Sequence, residues 1–273
     1  MIGVFDSGIG GLSVLREIHK RLPNQATLYV ADQAHVPYGP RPLEEVRYFA
    51  FGISQWLMAQ GCEVIVVACN AASASALKEL RTAYRDTLFV GMEPAVKPAV
   101  ERTRTGKVGV LATPATFQGK LYASVVERFA GDVQLLTDTC PGLVAEIEAG
   151  RLDDIETRRI LTDALHPMLS AGIDTIVLGC THYPFVIPLI EDIVGKDVRV
   201  IDPAPAVARQ VERLVGVGSG KNQPDARYAT TGDPLQLQAQ LMQLLGIETH
   251  VEMLTWRITH WMVNRVDCVE DSQ

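Results

Sequence analysis

The chain lacks most of the features that would make its role easy to read. Its 273 residues contain no run of lysine and arginine, and the formal net charge is −7. Nucleic acid is therefore not an expected partner, because phosphate recognition rests on clustered cations. No long hydrophobic run is present: the apolar stretches, such as Val-Ile-Val-Val-Ala at 64–68, fall far short of the roughly 18 residues that a membrane span needs. No basic segment precedes a hydrophobic one at Met1-Ile-Gly-Val-Phe-Asp, so no signal peptide and a cytoplasmic location are expected. Cys62, Cys69, Cys140, Cys180 and Cys268 are odd in number, irregularly spaced and free of any CxxC pair, which excludes a disulfide framework. The six histidines form no HxxxH cluster, so no metal site is expected either.

What is present is an alternation of short β-rich runs with longer helical patterns, the signature of an α/β protein with parallel strands. Strands are predicted over 2–5, 27–31, 64–68 and 88–92, with helices over 12–22, 43–60 and 73–84 between them. The pattern then restarts. Strands over 108–111, 133–136, 175–178 and 198–201 alternate with helices over 120–129, 143–149 and 155–171. The strand ends correspond in order: Phe5-Asp6 with Leu111-Ala112, Asp32 with Asp138, Cys69 with Cys180, Glu93-Pro94 with Asp202-Pro203. These pairs are about 106 to 111 residues apart (5 to 111, 32 to 138, 69 to 180, 93 to 202). Four matched endings in order indicate an internal duplication, hence two similar α/β domains with mainly parallel sheets and a site in the cleft between them. The expected division is 1–95 plus 206–255 for the first domain and 96–205 for the second. The segment 206–252, with a helix, a glycine-rich loop at 216–222, a strand ending at Thr230 and a last helix, is too short to stand alone. It is expected to return to the first domain. The tail 256–273, with Trp256, Trp261 and Cys268, shows no periodicity and receives no role.

In open parallel sheets, ligands bind outside the carboxyl ends of the strands. There the sequence places Asp6, Ser7, Asp32, Cys69, Asn70, Glu93, Thr113, Thr116, Cys180, Thr181, His182 and Asp202. Cys69 and Cys180 each lie eight residues beyond a helix-ending glycine, Gly61 and Gly172. Equivalent positions in duplicated domains would set the two thiols on either side of a bound small molecule. Asn70 and Thr181 are good helix N-caps, and the positive end of each helix is expected to lower the neighbouring thiol pKa. Cys62, Cys140 and Cys268 read as core filling. His182, beside Cys180, suits acid/base support. Asp6 suits the same role or an N-cap of the following helix, while Asp32 and Asp202 read as capping or loop residues.

Two glycine-rich segments imitate nucleotide sites. Gly8-Ile-Gly-Gly-Leu-Ser13 has Asp32 downstream like a dinucleotide fingerprint, but Ser13 replaces the third glycine and Asp6 would repel a pyrophosphate. Gly216-Val-Gly-Ser-Gly-Lys221 follows a helix and has Val215 in place of the first P-loop glycine. Neither supports a nucleotide, and no lysine at a strand end suggests a pyridoxal Schiff base, so no cofactor is expected.

The motifs Phe5-Asp-Ser-Gly-Ile-Gly-Gly11, Ala31-Asp32 with Pro37-Tyr-Gly39, Ala68-Cys-Asn-Ala-Ala-Ser73, Leu111-Ala-Thr-Pro-Ala-Thr116 and Gly179-Cys-Thr-His-Tyr-Pro184 resemble the bacterial glutamate racemases of the aspartate/glutamate racemase superfamily. The resemblance runs to about Asp233. It implies a cofactor-independent isomerase that makes D-glutamate for peptidoglycan, with homodimers common. It implies that Cys69 and Cys180 are the catalytic thiols, the first serving D-glutamate and the second L-glutamate, assisted by Asp6 and His182. It further implies substrate contacts from Asp6-Ser7, Tyr38-Gly39, Asn70-Ala71 and Thr181-His182, with Thr113 and Thr116 as additions. The sequence departs from the family at Ala71, where a threonine is common, and at Gly119, where a serine is usual. A racemase for another acidic amino acid, such as aspartate, is the alternative reading. A two-lobed binding protein for small acids is a remoter one: it usually needs export, and it has no need of matched thiols.

Overall fold

The computed structural model describes residues 1–216, 226–257 and 262–265. The strands β1 (Ile2–Asp6), β2 (Thr27–Ala31), β3 (Val64–Val67) and β4 (Leu88–Gly91) lie in the order β2-β1-β3-β4, all parallel. The strands β5 (Lys107–Ala112), β6 (Gln134–Asp138), β7 (Thr175–Gly179) and β8 (Arg199–Ile201) repeat it as β6-β5-β7-β8, again parallel. The same order in both sheets is what a duplicated unit requires. β9 (Ala226–Thr230) pairs with β2, β10 (Val251–Arg257) with β9, and β11 (Met262–Arg265) closes the edge antiparallel, which makes the first sheet seven-stranded. Trp256 is thus part of β10, whereas Trp261, Cys268 and most of the glycine-rich loop lie outside the described residues.

Both sheets bury both faces, as parallel strands flanked by helices do. On β3, Val64 and Val66 face one hydrophobic cluster while Ile65 and Val67 face another, as the two-residue period dictates. On β7, Ile176 and Leu178 join the cluster of Val64 and Val66, and Val177 faces away. One hydrophobic cluster therefore includes residues of both sheets.

The helices follow as α1 (Leu12–Arg21), α2 (Leu43–Ala59), α3 (Asn70–Ala83), α4 (Val96–Val100), α5 (Pro114–Gln118) and α6 (Lys120–Phe129). The second half carries α7 (Leu143–Glu148), α8 (Ile155–Ser170), α9 (Ile187–Val194), α10 (Ala204–Val215) and α11 (Pro234–Leu245). None among the described residues is long and apolar enough to cross a membrane. Gly61 (φ 83°) and Gly172 (φ 87°) end α2 and α8 in the left-handed region that glycine enters without penalty. That reversal feeds β3 and β7 at matched positions. α3 starts at Asn70, three residues before the expected 73, so Cys69 itself is the N-cap, with extended backbone (φ −126°, ψ 124°).

Gly119 marks the join of α5 and α6, away from the strand ends. A Cβ there would meet Ala74 Cβ of α3 at 2.5 Å. Serine would gain only a few tenths of a kcal/mol as an N-cap over glycine, against an overpacking cost of about 1–3 kcal/mol. Gly119→Ser is therefore expected to lower the thermal midpoint; an unchanged or higher midpoint would refute this packing argument.

Candidate active site

Ser7, Tyr38, Gly39, Cys69, Asn70, Ala71, Thr113, Cys180, Thr181 and His182 converge on one buried cavity, joined by Pro37 and Val144. Cys69 reaches it from the end of β3 and Cys180 from the end of β7, so each sheet contributes one thiol; both are about 5% exposed. Two residues expected there lie one layer back. Thr116 sits 3.1 Å from the Thr113 hydroxyl, behind the cavity wall. Asp6 is fully buried beneath the thiols: it accepts from the Gly8 N–H at 2.8 Å and from the Thr181 hydroxyl at 2.9 Å. It does not cap α1, whose N-cap is Gly11.

The expectation that helix starts lower both thiol pKa values needs correction. For Cys69, burial pushes the pKa well up and the Asp6 carboxylate pushes it further, while the N–H groups of Ala72 and Ser7 only partly oppose them. Nor does Asn70 cap α3 with its side chain; Cys69 holds the cap position and Asn70 is inside the helix. Thr181 precedes a single 3-10 turn at Tyr183–Val186, with His182 at its N-cap, and spends its hydroxyl on Asp6. Asp6 itself is raised, first by desolvation, with the charge of His182 and the bonds from Gly8 and Thr181 pulling the other way.

His182 bridges the Cys180 thiol and the Glu148 carboxylate. Its Nδ1 lies 3.8 Å from Cys180 Sγ and its Nε2 lies 2.6 Å from Glu148 Oε1. Burial alone would lower its pKa, but the bonds to Cys180 and Glu148 and their negative charges more than reverse that and raise it well above 6.5. In its protonated form, which both contacts favour, the ring donates on both sides. Glu148 is the functional residue that the sequence reading missed. Burial would raise its pKa, yet the His182 contacts and the Ile9 N–H, which donates at 2.8 Å, lower it below 4.5.

This pair also explains the segment that imitates a dinucleotide motif. A Cβ on Gly8 would fall 1.9 Å from Glu148 Oε1, and one on Gly10 would fall 2.4 Å from His182 Nδ1. The glycines allow second-lobe side chains to rest on the first-lobe backbone, and no phosphate is required.

Asp32 is a hub rather than a simple cap. Fully buried, it accepts from Tyr38 Oη (2.6 Å), Thr231 Oγ1 (2.6 Å) and Trp256 Nε1 (2.8 Å), with His35 Nδ1 at 2.9 Å. It thereby anchors the Pro37-Tyr38-Gly39 wall to the C-terminal strands. Asp202 behaves as expected, accepting the Ala204 N–H at 2.8 Å at the start of α10. Asn70 has both side-chain polar atoms buried without a partner among the described residues. Such an amide in a cavity wall is built to meet a ligand.

A cleft with one thiol per lobe and a cationic relay behind one of them is an arrangement for moving protons across a small molecule. Comparison with known proteins agrees. The Asp/Glu/Hydantoin racemase family profile matches residues 2–211. A glutamate racemase of Ectopseudomonas mendocina is 49% identical over 255 residues, covering 92% of this chain and 97% of that one. A glutamate racemase isoform from Bacillus anthracis superposes with a TM-score of 0.84 at 32% identity, covering 93% and 96% of the two chains. A glutamate racemase from Francisella tularensis, in complex with D-glutamate, superposes with a TM-score of 0.81 at 29% identity, covering 93% and 97%. The chain belongs to the Asp/Glu/hydantoin racemase family and, within it, to the glutamate racemases.

Proposed function

We propose that this chain interconverts L- and D-glutamate by a two-base proton transfer without a cofactor, supplying D-glutamate for peptidoglycan. The observation that carries the reading is the pair of buried thiols, Cys69 and Cys180, at equivalent strand ends on one cavity. Inverting Cα requires removing a proton from one face and returning one to the other, which a single base does poorly and two opposed groups do directly. In the L-to-D direction the sulfur of Cys180 takes the α-proton while the S–H of Cys69 gives its own to the opposite face. Burial keeps Cys69 protonated and ready to donate, and the imidazolium of His182 stabilises negative charge on Cys180. The reverse direction exchanges the roles. Between the two transfers the carbanion is held by fixed dipoles in a site closed to water. Asn70, Ser7, Thr113 and Thr181 are the groups we assign to the substrate's charged ends.

The cavity holds about 20 Å³, room for little more than one water. We infer that two domains, 1–95 plus 206–255 and 96–205, part to admit glutamate. Entry then runs through the adjoining space of about 310 Å³, which shares Pro37 and Val144 with the cavity. We place the reaction in the cytoplasm, with a homodimer as the working form; a monomeric mass by light scattering at assay concentrations would refute the latter.

The deciding experiment is incubation with L-glutamate in D2O, following optical rotation and deuterium at Cα. Loss of rotation with one deuterium entering the D product supports the reading. Absence of both at high enzyme sinks it, and turnover of aspartate alone selects a racemase for that amino acid. Ala71 lines the cavity without a side-chain donor. Ala71→Thr adds a hydroxyl worth about 0.5–1.5 kcal/mol and is expected to lower KM for both enantiomers roughly three- to tenfold; a higher KM would show that the wall has no room for it.

A further inference from the structure

The last turn of α7 ends against α11, a helix of the C-terminal segment beyond residues 2–211 of the family match. The final carbonyls of a helix have no partner within it, and here α11 supplies one for the last residue of α7 and another for a carbonyl just past its C-cap. Gln240 Nε2 donates to the carbonyl of Glu148 at 2.6 Å, and Gln243 Nε2 donates to that of Gly150 at 3.0 Å. Gln240 is buried, and its other end is also occupied: its Oε1 accepts from Gln33 Nε2 at 2.8 Å. Gln33 Oε1 in turn accepts from the Thr230 hydroxyl at 2.8 Å. A chain of satisfied side-chain bonds thus runs from the end of β9, through the loop after β2 and α11, to the backbone of Glu148. A buried network of this kind fixes one geometry because any broken link leaves polar groups unpaired.

The end of that chain is the residue whose carboxylate touches His182. We propose that Gln240 is a positioning residue of this reaction: by holding the Glu148 carbonyl, it keeps the Glu148 carboxylate seated on the imidazole of His182 and the imidazole seated on Cys180. The proposal rests on the two-thiol racemase reading given above. Gln240 touches no reacting atom. It acts through Glu148, across the junction between the two lobes. The charged and titratable groups around His182 are Glu148 from α7, Cys180 from the end of β7 and Asp6 from the end of β1. Of these, only Glu148 is bonded to Gln240.

The test is Gln240→Met, which keeps the length of the side chain and removes both bonds. His182 is titrated by NMR of its ring nitrogens, and kcat is measured against pH. His182 is expected to titrate about one unit lower than in the unaltered protein, with the basic limb of kcat moving by the same amount, a roughly tenfold loss of rate above that limb. Gln240→Asn, which shortens the amide by one methylene and stretches both bonds, moves both readouts the same way by less, and decides the matter if Gln240→Met does not fold; Gln33 is left intact because its own amide also reaches the Glu148 carboxylate. A lower thermal midpoint with the His182 titration and the basic limb unmoved overturns the proposal, because a purely structural glutamine gives that result. Absence of glutamate turnover in the unaltered protein overturns the racemase reading instead, and the His182 titration still judges Gln240.

Discussion

Cys69→Ser and Cys180→Ser are each expected to reduce racemisation by about 10²–10⁴-fold, the range that a positioned acid or base contributes. A hydroxyl in place of either buried sulfur is nearly the same size but a far weaker acid, so it neither ionises as a base nor yields its proton readily. Because enantiomers have equal free energies, kcat/KM must be the same in both directions, and losing either thiol must lower both alike. The distinction between the two variants appears only in isotope exchange. In D2O, Cys69→Ser retains the thiol facing L-glutamate and is expected to wash deuterium into L-glutamate without inverting it. Cys180→Ser is expected to do so only with D-glutamate. Nuclear magnetic resonance of each recovered enantiomer checks this. Turnover within a few-fold of the unaltered protein in either variant would exclude a two-thiol mechanism, and exchange into both enantiomers by one variant would exclude the facial assignment.

The placement of the two thiols was legible in the sequence because it depends on strand ends; which enantiomer each faces came only from the family resemblance. Val64–Val67 and Thr175–Gly179 empty into their cysteines after matched glycines, and an α/β period places such residues on one edge of a sheet. The duplication read from the spacing shows in the structure as one strand order used twice, β2-β1-β3-β4 and β6-β5-β7-β8. What could not be read were contacts between residues distant in the chain. Glu148 closes a short amphipathic helix and, on sequence alone, resembles any solvated helix end; 139 residues separate it from Ile9, whose N–H it accepts. Gly8 and Gly10 read in the sequence only as part of an imitated dinucleotide motif, because the side chains that approach them come from the other half of the chain. The pKa of Cys69 was misjudged for a related reason. A helix start is a local feature, whereas burial and the Asp6 charge come from the assembled fold and outweigh it. Trp256, in a stretch without periodicity, packs on Phe49 and His35 and donates to Asp32, all of them far away in the chain.

Glu148→Gln is expected to have the second-largest effect, and its pH dependence is fixed in sign by the two groups it joins. The pKa of Glu148 is lowered in the folded protein, so its contribution to stability is present above the unfolded value of 4.5 and is lost as pH falls through the lower folded value. The pKa of His182 is raised, so its contribution is fully present below the unfolded value of 6.5 and is lost as pH rises through the higher folded one. Both contributions are complete only between about 4.5 and 6.5. The two residues are almost wholly buried, with side chains 11% and 3% exposed, and removing one partner of a buried pair costs about 3–5 kcal/mol. The stability difference between the unaltered protein and Glu148→Gln should therefore be widest in that window and narrow on both sides, which denaturant titrations across the pH range will show. In the same variant the imidazolium loses its counter-charge while remaining buried, so the basic limb of kcat should move to lower pH. Parallel stability curves, with that limb unmoved, would mean that Glu148 packs against His182 without controlling its charge.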